Sequence, residues 1–430
     1  MSINRRELLA GLGGLAAGAI ATKLGAQTPE TSPPTGAILP IATNDGELPL
    51  ALPLPRKQDF AIADGYTYIN GAYTHPMPVA SAAAMRAYAN ARASFQTDDA
   101  TSGVMSRGVK AAFASLINAK PSEISYIPNT SAGENLVVEC LGITKFDGNV
   151  VTDALHFEGA LVHLMELQKQ GLDLRVVAPR GGRIEMSDLE RVVDRKTKLV
   201  ELSLVSMYNG FQHDLKAVCD LAHAHGAYVY ADVIQAAGAV PIDVRATGVD
   251  FAASATYKWL MGDFGLAFFY VREDLLGTVV GRPHWSYRSA SDVDIHLSPF
   301  DPQSAAPVTW TPRGDASGYV ELGTVANAVA AALSVSLPYV RRLGVDAIER
   351  YRQPMLKRLQ DEMPRLGFTP ATPRGSTSPI VTFASRDTRP AARKLEAAKV
   401  AVRVAPYWIR IAPSIYNDMR DVDRLLDALS

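Results

Sequence analysis

Between Ile124 and about Arg272, short apolar runs alternate with longer segments whose apolar positions recur every three or four residues. The runs are Ile124-Ser125-Tyr126-Ile127, Asn149-Val150-Val151-Thr152, Leu174-Arg175-Val176-Val177, Leu199-Val200-Glu201-Leu202-Ser203, Ala227-Tyr228-Val229-Tyr230-Ala231, Phe251-Ala252-Ala253 and Leu266-Ala267-Phe268-Phe269-Tyr270. Such alternation predicts an α/β fold, with a mainly parallel seven-stranded sheet carrying helices on both faces. After about Trp310 the pattern changes. A long Ala-rich helix is expected over Asn327 to Leu343, followed by helix, strand, helix, strand and helix to Ser430. This reads as a second, smaller α+β domain over 311–430, beside a large domain over 59–310. No internal repeat is evident in the body.

The N-terminal pattern is different. Arg5-Arg6 precedes a weakly apolar Gly- and Ala-rich run ending near Ala21, with Leu24-Gly25-Ala26 as a small-residue cleavage site. Residues 1–26 therefore read as a twin-arginine-type signal peptide, with a run too short to remain as a membrane span. Periplasmic localisation is expected. Pro-rich residues 27–58, including Ser32-Pro33-Pro34 and Leu52-Pro53-Leu54-Pro55, cannot hold a regular helix and read as a linker or arm.

Composition narrows the classes further. With 47% hydrophobic and 20% charged residues over 430 positions, the chain can build a large core. Forty-three Lys and Arg offset forty-four Asp and Glu, a net charge of -1, so no electrostatic attraction to nucleic acid is available. The two cysteines, Cys140 and Cys219, are too few for a disulfide framework and lack metal-cluster spacing. Both are expected in the core, and no metal site is expected.

In a doubly wound sheet ligands gather at the carboxyl ends of the strands. Asn129-Thr130-Ser131 follows the first run and opens a helix, where hydroxyls and free N–H groups suit a phosphate, although an ordinary helix cap is the commoner use of such residues. His156 follows the second run, placed to stack on a planar ring or move a proton; a lone His is more often structural. Asp232 ends the strand through Tyr230, and Lys258 follows the one through Phe251. That carboxylate and amine on neighbouring strand ends are the strongest chemical signal. A carboxylate can keep a pyridine nitrogen protonated, and a lysine can join an aldehyde as an imine and then move an α proton. Either residue singly would more often be part of a surface ion pair.

Tyr230-Ala231-Asp232-Val233-Ile234-Gln235-Ala236-Ala237-Gly238, then Pro241-Ile242-Asp243-Val244, Gly248-Val249-Asp250-Phe251 and Thr256-Tyr257-Lys258-Trp259-Leu260 with Gly262 and Gly265, resembles the core of the class V aminotransferases. These are fold-type I pyridoxal-phosphate enzymes, and the resemblance runs from about Tyr66 to Leu429. It implies pyridoxal 5'-phosphate as cofactor, with Lys258 as the imine-forming lysine, Asp232 as the pyridinium partner and Gln235 at the ring hydroxyl. His156 matches the stacking position. Thr130 and Ser131 match the phosphate-binding pair, and Tyr257 a phosphate ligand of kynureninase-like members. Glu321-Leu322-Gly323-Thr324 resembles the segment that reaches the phosphate from a second subunit, which implies a homodimer with Thr324 in the partner's site. Arg410 aligns with the arginine that clamps the substrate carboxylate, a task suited to a planar guanidinium. Asn70 lies in the N-terminal segment, 59–80, that in the family closes over the substrate near the small domain.

Two departures qualify the resemblance. Cysteine desulfurases of the family need a mobile Cys before the arginine segment, and Val402-Arg403-Val404-Ala405-Pro406-Tyr407-Trp408 has none. The phosphate-binding hydroxyl three before the lysine is replaced by Ala255, which leaves the role to Ser254, Thr256 or Tyr257. The expected function is a pyridoxal-phosphate enzyme acting on an amino acid or peptide-borne amino acid, first by transamination or deamination. Exported family members that modify a glutamate side chain of a siderophore share the signal and the body. An epimerase, a kynureninase-like hydrolase and a C–S lyase are alternatives on the same scaffold, and a non-catalytic binding protein is a remote one.

Overall fold

A computed structural model of the chain describes residues 52–95, 99–296 and 306–430. The expected signal peptide and most of the Pro-rich arm lie outside the described residues. In chain order the strands are β1 (Thr67–Tyr68), β2 (Ile124–Ile127), β3 (Asn149–Asp153), β4 (Asp173–Val177), β5 (Thr197–Ser203), β6 (Tyr228–Asp232), β7 (Phe251–Ala255), β8 (Ala267–Val271), β9 (Ala290–Ile295), β10 (Val308–Pro312), β11 (Thr369–Pro370), β12 (Val381–Ala384), β13 (Val400–Ala401), β14 (Arg403–Ala405) and β15 (Trp408–Ile411).

The seven runs read from the sequence form one sheet in the order β2-β8-β7-β6-β5-β3-β4. From β4 to β7 every pairing is parallel, whereas β8 runs antiparallel to both β7 and β2. Burial on both faces explains why these strands, except the half-exposed edge strand β4, read as continuous apolar runs rather than as alternating ones. Successive side chains still point to opposite faces. Val151, Val200, Val229, Ala252 and Phe268 enter one hydrophobic core, while their neighbours Val150, Leu199, Tyr230, Phe251 and Phe269 enter the other. Helices Asp99–Leu116 and Leu215–Ala224 supply Phe113 and Val218 to the first core; helices Thr130–Cys140 and Glu158–Lys169 supply Val137 and Leu164 to the second.

The C-terminal strands form a separate antiparallel sheet, β11-β12-β15-β14. Helices Val345–Glu362 and Met419–Leu429 supply Leu356, Leu359, Val422 and Leu425 to a core shared with Phe383, Ile409 and Ile411. The N-terminal segment is tied to this sheet's surroundings. β1 pairs in parallel with β13, and Asn70 bridges to Ala412 just past β15.

One expectation is corrected. Cys219 is buried, but Cys140 is only partly buried at the end of its helix. The hairpin of β9 and β10 was not anticipated. Its Asp292-Val293-Asp294-Ile295 alternation carries a strand's period, yet its side chains are mostly exposed, so no buried run marks it.

Candidate active site

The chain order of the large sheet turns back between β3 and β5: β3 leads outward to β4, while β5 leads the other way through β6 to β7. A crevice opens at the carboxyl ends of strands at such a point. His156 follows β3, Ser203 ends β5, Asp232 ends β6 and Lys258 follows β7 by three residues. Strand register aligns Ser203 with Asp232, and Asp232 with Ala253. Hydrogen bonds fasten the rest: His156 Nδ1 pairs with Ser203 Oγ at 2.8 Å, and the Tyr230 hydroxyl donates to the Thr130 carbonyl at 3.2 Å. The helix that starts at Thr130 is capped by Asn129, whose side chain accepts from Ala132 N at 2.9 Å. Thr130 and Ser131 thus sit at an 11-residue helix's amino end, beside Asp232's strand.

Burial dominates the electrostatics. Lys258 is 8% exposed and Asp232 4%. Burial pulls the Lys258 amine down to about 8, with Asp232 opposing and Arg410 reinforcing. Burial also raises the Asp232 carboxyl above its ordinary range, against the Ile234 N–H and the charges of His156 and Lys258. Asp232 Oδ1 accepts from Ile234 N at 2.9 Å, and Oδ2 has no protein donor among the described residues. His156 is lowered by burial, so its imidazole is neutral near pH 7.

Beneath His156 lies a group that strand reading missed. Glu201, inside β5, places Oε1 3.2 Å from His156 Nε2, and burial pushes its carboxyl up to about 8. Its Oε2 has no partner among the described residues. Nearby, Glu134 Oε1 meets His163 Nδ1 at 2.9 Å, and Glu134 is itself raised by burial and by Glu201. A charged residue inside Leu199-Val200-Glu201-Leu202 was the available signal.

The second sheet brings Arg410 toward these groups. Arg410, on β15 and 3% exposed, donates through Nη1 to the Met207 carbonyl at 2.8 Å, while its Nε has no partner among the described residues. Burial, then Arg403, pulls this guanidinium down to about 10. Asn70 is buried, and its Oδ1 is unpaired among the described residues. Gln235 donates to the Ala72 carbonyl at 3.0 Å and accepts from Trp259 Nε1 at 3.0 Å, which ties the N-terminal segment to the residue after Lys258. Of the hydroxyls near Lys258, Ser254 donates to the Ala255 carbonyl at 3.3 Å and Thr256 to Asp263's at 2.6 Å. Tyr257 stacks on Phe264, and its hydroxyl has no hydrogen bond among the described residues. Thr324 stands apart, exposed beside Tyr88 and Arg92 at a cavity of about 580 Å³.

This donor set fits pyridoxal phosphate. The helix start and the Tyr257 hydroxyl offer unspent donors to a phosphate, Asp232 Oδ2 is an open acceptor, and Lys258 is a buried, weakly basic amine. The sequence model of Aminotransferase class-V matches residues 70–425. The chain belongs to the class-V aminotransferase family. As a class-V protein it is a pyridoxal-phosphate enzyme of fold type I. Among relatives, a protein named "Probable cysteine desulfurase" from Methanothermobacter thermautotrophicus is 29% identical over 313 residues, covering 70% of this chain and 74% of its own. An uncharacterised aminotransferase of Bacillus subtilis is 26% identical over 322 residues, covering 74% and 81%. The apo structure of a cysteine desulfurase from Thermococcus onnurineus superposes with a TM-score of 0.74 at 20% identity, over 88% of this chain and 98% of that one, a likeness of fold.

Proposed function

We propose that this class-V enzyme transfers or removes the amino group of an amino acid or peptide-borne amino acid, with Lys258 as the residue that holds the cofactor and moves the α proton. The observation that carries the reading is a buried, weakly basic amine beside a buried carboxylate on adjoining strand ends, with an unpaired guanidinium facing them from the second sheet. When bound, pyridoxal phosphate supplies an aldehyde that joins an amino group and a ring that draws electrons from the α carbon.

Each residue then has a task its surroundings suit. Thr130, Ser131 and Tyr257 would hold the phosphate; Asp232 would face the ring nitrogen, His156 the ring face and Gln235 the ring hydroxyl. Near pH 8 much of the Lys258 amine is free of its proton, so it can attack a carbonyl carbon or accept a proton from an α carbon. Arg410 would clamp the substrate carboxylate through its open Nε edge and Asn70 would close over it, which fixes the α carbon against Lys258. The test is borohydride reduction of the holoenzyme followed by peptide mapping. The label is expected on Lys258 and absent from Lys258→Ala; a label on another lysine overturns the assignment. Single turnover should then release an oxo acid while the substrate nitrogen stays with the protein.

Carbon–sulfur bond cleavage is the second reading, favoured by the name of the Methanothermobacter relative. A persulfide-forming version lacks its nucleophile here. Pro406 and Tyr407 form a two-residue turn between β14 and β15, with no thiol. Pyruvate released from cysteine together with ammonia and sulfide in the same single turnover would favour this reading. We infer export from Arg5-Arg6 and the run that follows; an Arg5→Lys, Arg6→Lys double variant should stay in the cytoplasmic fraction.

A further inference from the structure

Arg403 and Arg410 are directly opposite one another on β14 and β15, so both side chains leave the same face of the sheet. Like charges so placed repel, and Arg403 contributes to the lowering of Arg410. No carboxylate answers them: among the described residues neither guanidinium forms an ion pair, and besides Arg403 the groups near enough to act on Arg410 are the hydroxyls of Tyr68 and Tyr73 and a further amine, Lys258. A buried unpaired cation is costly, and a second one across the strand adds to the cost. Such a pair is relieved when a ligand brings the anions.

The two arginines stand at different depths. Arg410 is buried and already spends Nη1 on the Met207 carbonyl. Arg403 is partly exposed and lies over the Tyr73 ring, 5.6 Å from its centroid. Tyr73 lies two residues before His75, whose N–H donates to the carbonyl of Tyr257, next to Lys258, at 3.1 Å, which sets Arg403 beside the same pocket. One carboxylate suffices for the Nε edge of Arg410. Arg403 is left for another anionic group farther from the α carbon.

We propose that Arg403 binds a second carboxylate, so that the substrate is an amino acid, free or at a peptide end, with an acidic side chain. This rests on the reading of the site as an amino-acid site with Arg410 as the α-carboxylate clamp. Among the described residues neither arginine pairs with an acid, and a dicarboxylate would pair with both.

The test uses probes without an amino group, so that binding is read without turnover. Butanoate, succinate and glutarate are titrated into the holoenzyme by calorimetry. At least one dicarboxylate should bind about tenfold tighter than butanoate, as expected for one added charge-assisted contact. Arg403→Met should bring that ratio close to one, and Arg403→Lys, which keeps the charge but loses the fork, should retain part of it. Arg403→Gln carries the same test if the Met variant does not fold. A wild-type ratio near one, or a ratio that survives in Arg403→Met, overturns the proposal. So does an equal loss for all three probes, which would mean that both arginines share one carboxylate. Borohydride labelling of the same preparations separates the two levels: label on Lys258 without a dicarboxylate preference removes only this inference, and label elsewhere removes the reading beneath it.

Discussion

At the scale of single residues, Glu201 carries a consequence for pH. It faces His156 from the loop after β3, Glu134 and His163 from the helices above the sheet, and Asp232 from β6. Burial raises its carboxyl from 4.5 to about 8, with His163 opposing and Asp232 adding. Between these two values the unfolded chain has released a proton that the folded chain keeps, so stability falls as pH rises through that window and is unaffected below it. Glu201→Gln removes this contribution. Urea unfolding at pH 5 and pH 8 should show the wild type losing on the order of a few kcal/mol relative to the variant over that interval; parallel losses would count against a neutral buried Glu201. The sequence revealed an acid within an apolar strand, but not its partner. His156 lies 45 positions earlier, and only the parallel pairing of β3 with β5 brings the two side chains together. Asp232 and Lys258 were more legible, because both stand at ends of apolar runs that sit side by side in the sheet.

At the scale of elements, the helix Thr130–Cys140 approaches the sheet through a glycine. A side-chain carbon on Gly133 would come within 2.9 Å of Ile127 Cδ1 and 3.2 Å of Ala253 Cβ, so the helix can lie this close to β2 and β7 only without one. Gly133→Val should lower stability by about 1–3 kcal/mol and, because the displaced helix carries Thr130, weaken retention of the cofactor. Thermal melting of the apoprotein and fluorescence titration with pyridoxal phosphate check the two effects separately. Strands buried on both faces were readable as apolar runs along the chain. The β9–β10 hairpin was not, since a strand with no buried face leaves only a short polar and apolar alternation.

At the scale of the whole molecule, the loop after β5 clasps the second sheet: Thr382 and Ser378 donate to the Tyr208 and Gly210 carbonyls at 2.6 Å each, and Arg410 reaches Met207. Thr324, by contrast, is exposed and lies outside this set of contacts. We propose that it serves the phosphate of a second copy; sedimentation should give a dimer at working concentration, and a monomer with full cofactor occupancy would rule this out. The short β14–β15 turn has one more consequence, in the molecule's response to its chemical environment. Without a reactive cysteine there, the remaining thiols are Cys140 and Cys219, which burial pushes up to about 11 and about 12. The more acidic of them is a thiolate in about one molecule in ten thousand at pH 7, so alkylating agents and mild oxidants find almost nothing to attack. Intact-mass measurement after iodoacetamide should show the native protein unmodified and the urea-unfolded protein carrying two adducts. A pyridoxal-phosphate enzyme built this way offers little thiolate for an oxidant to take.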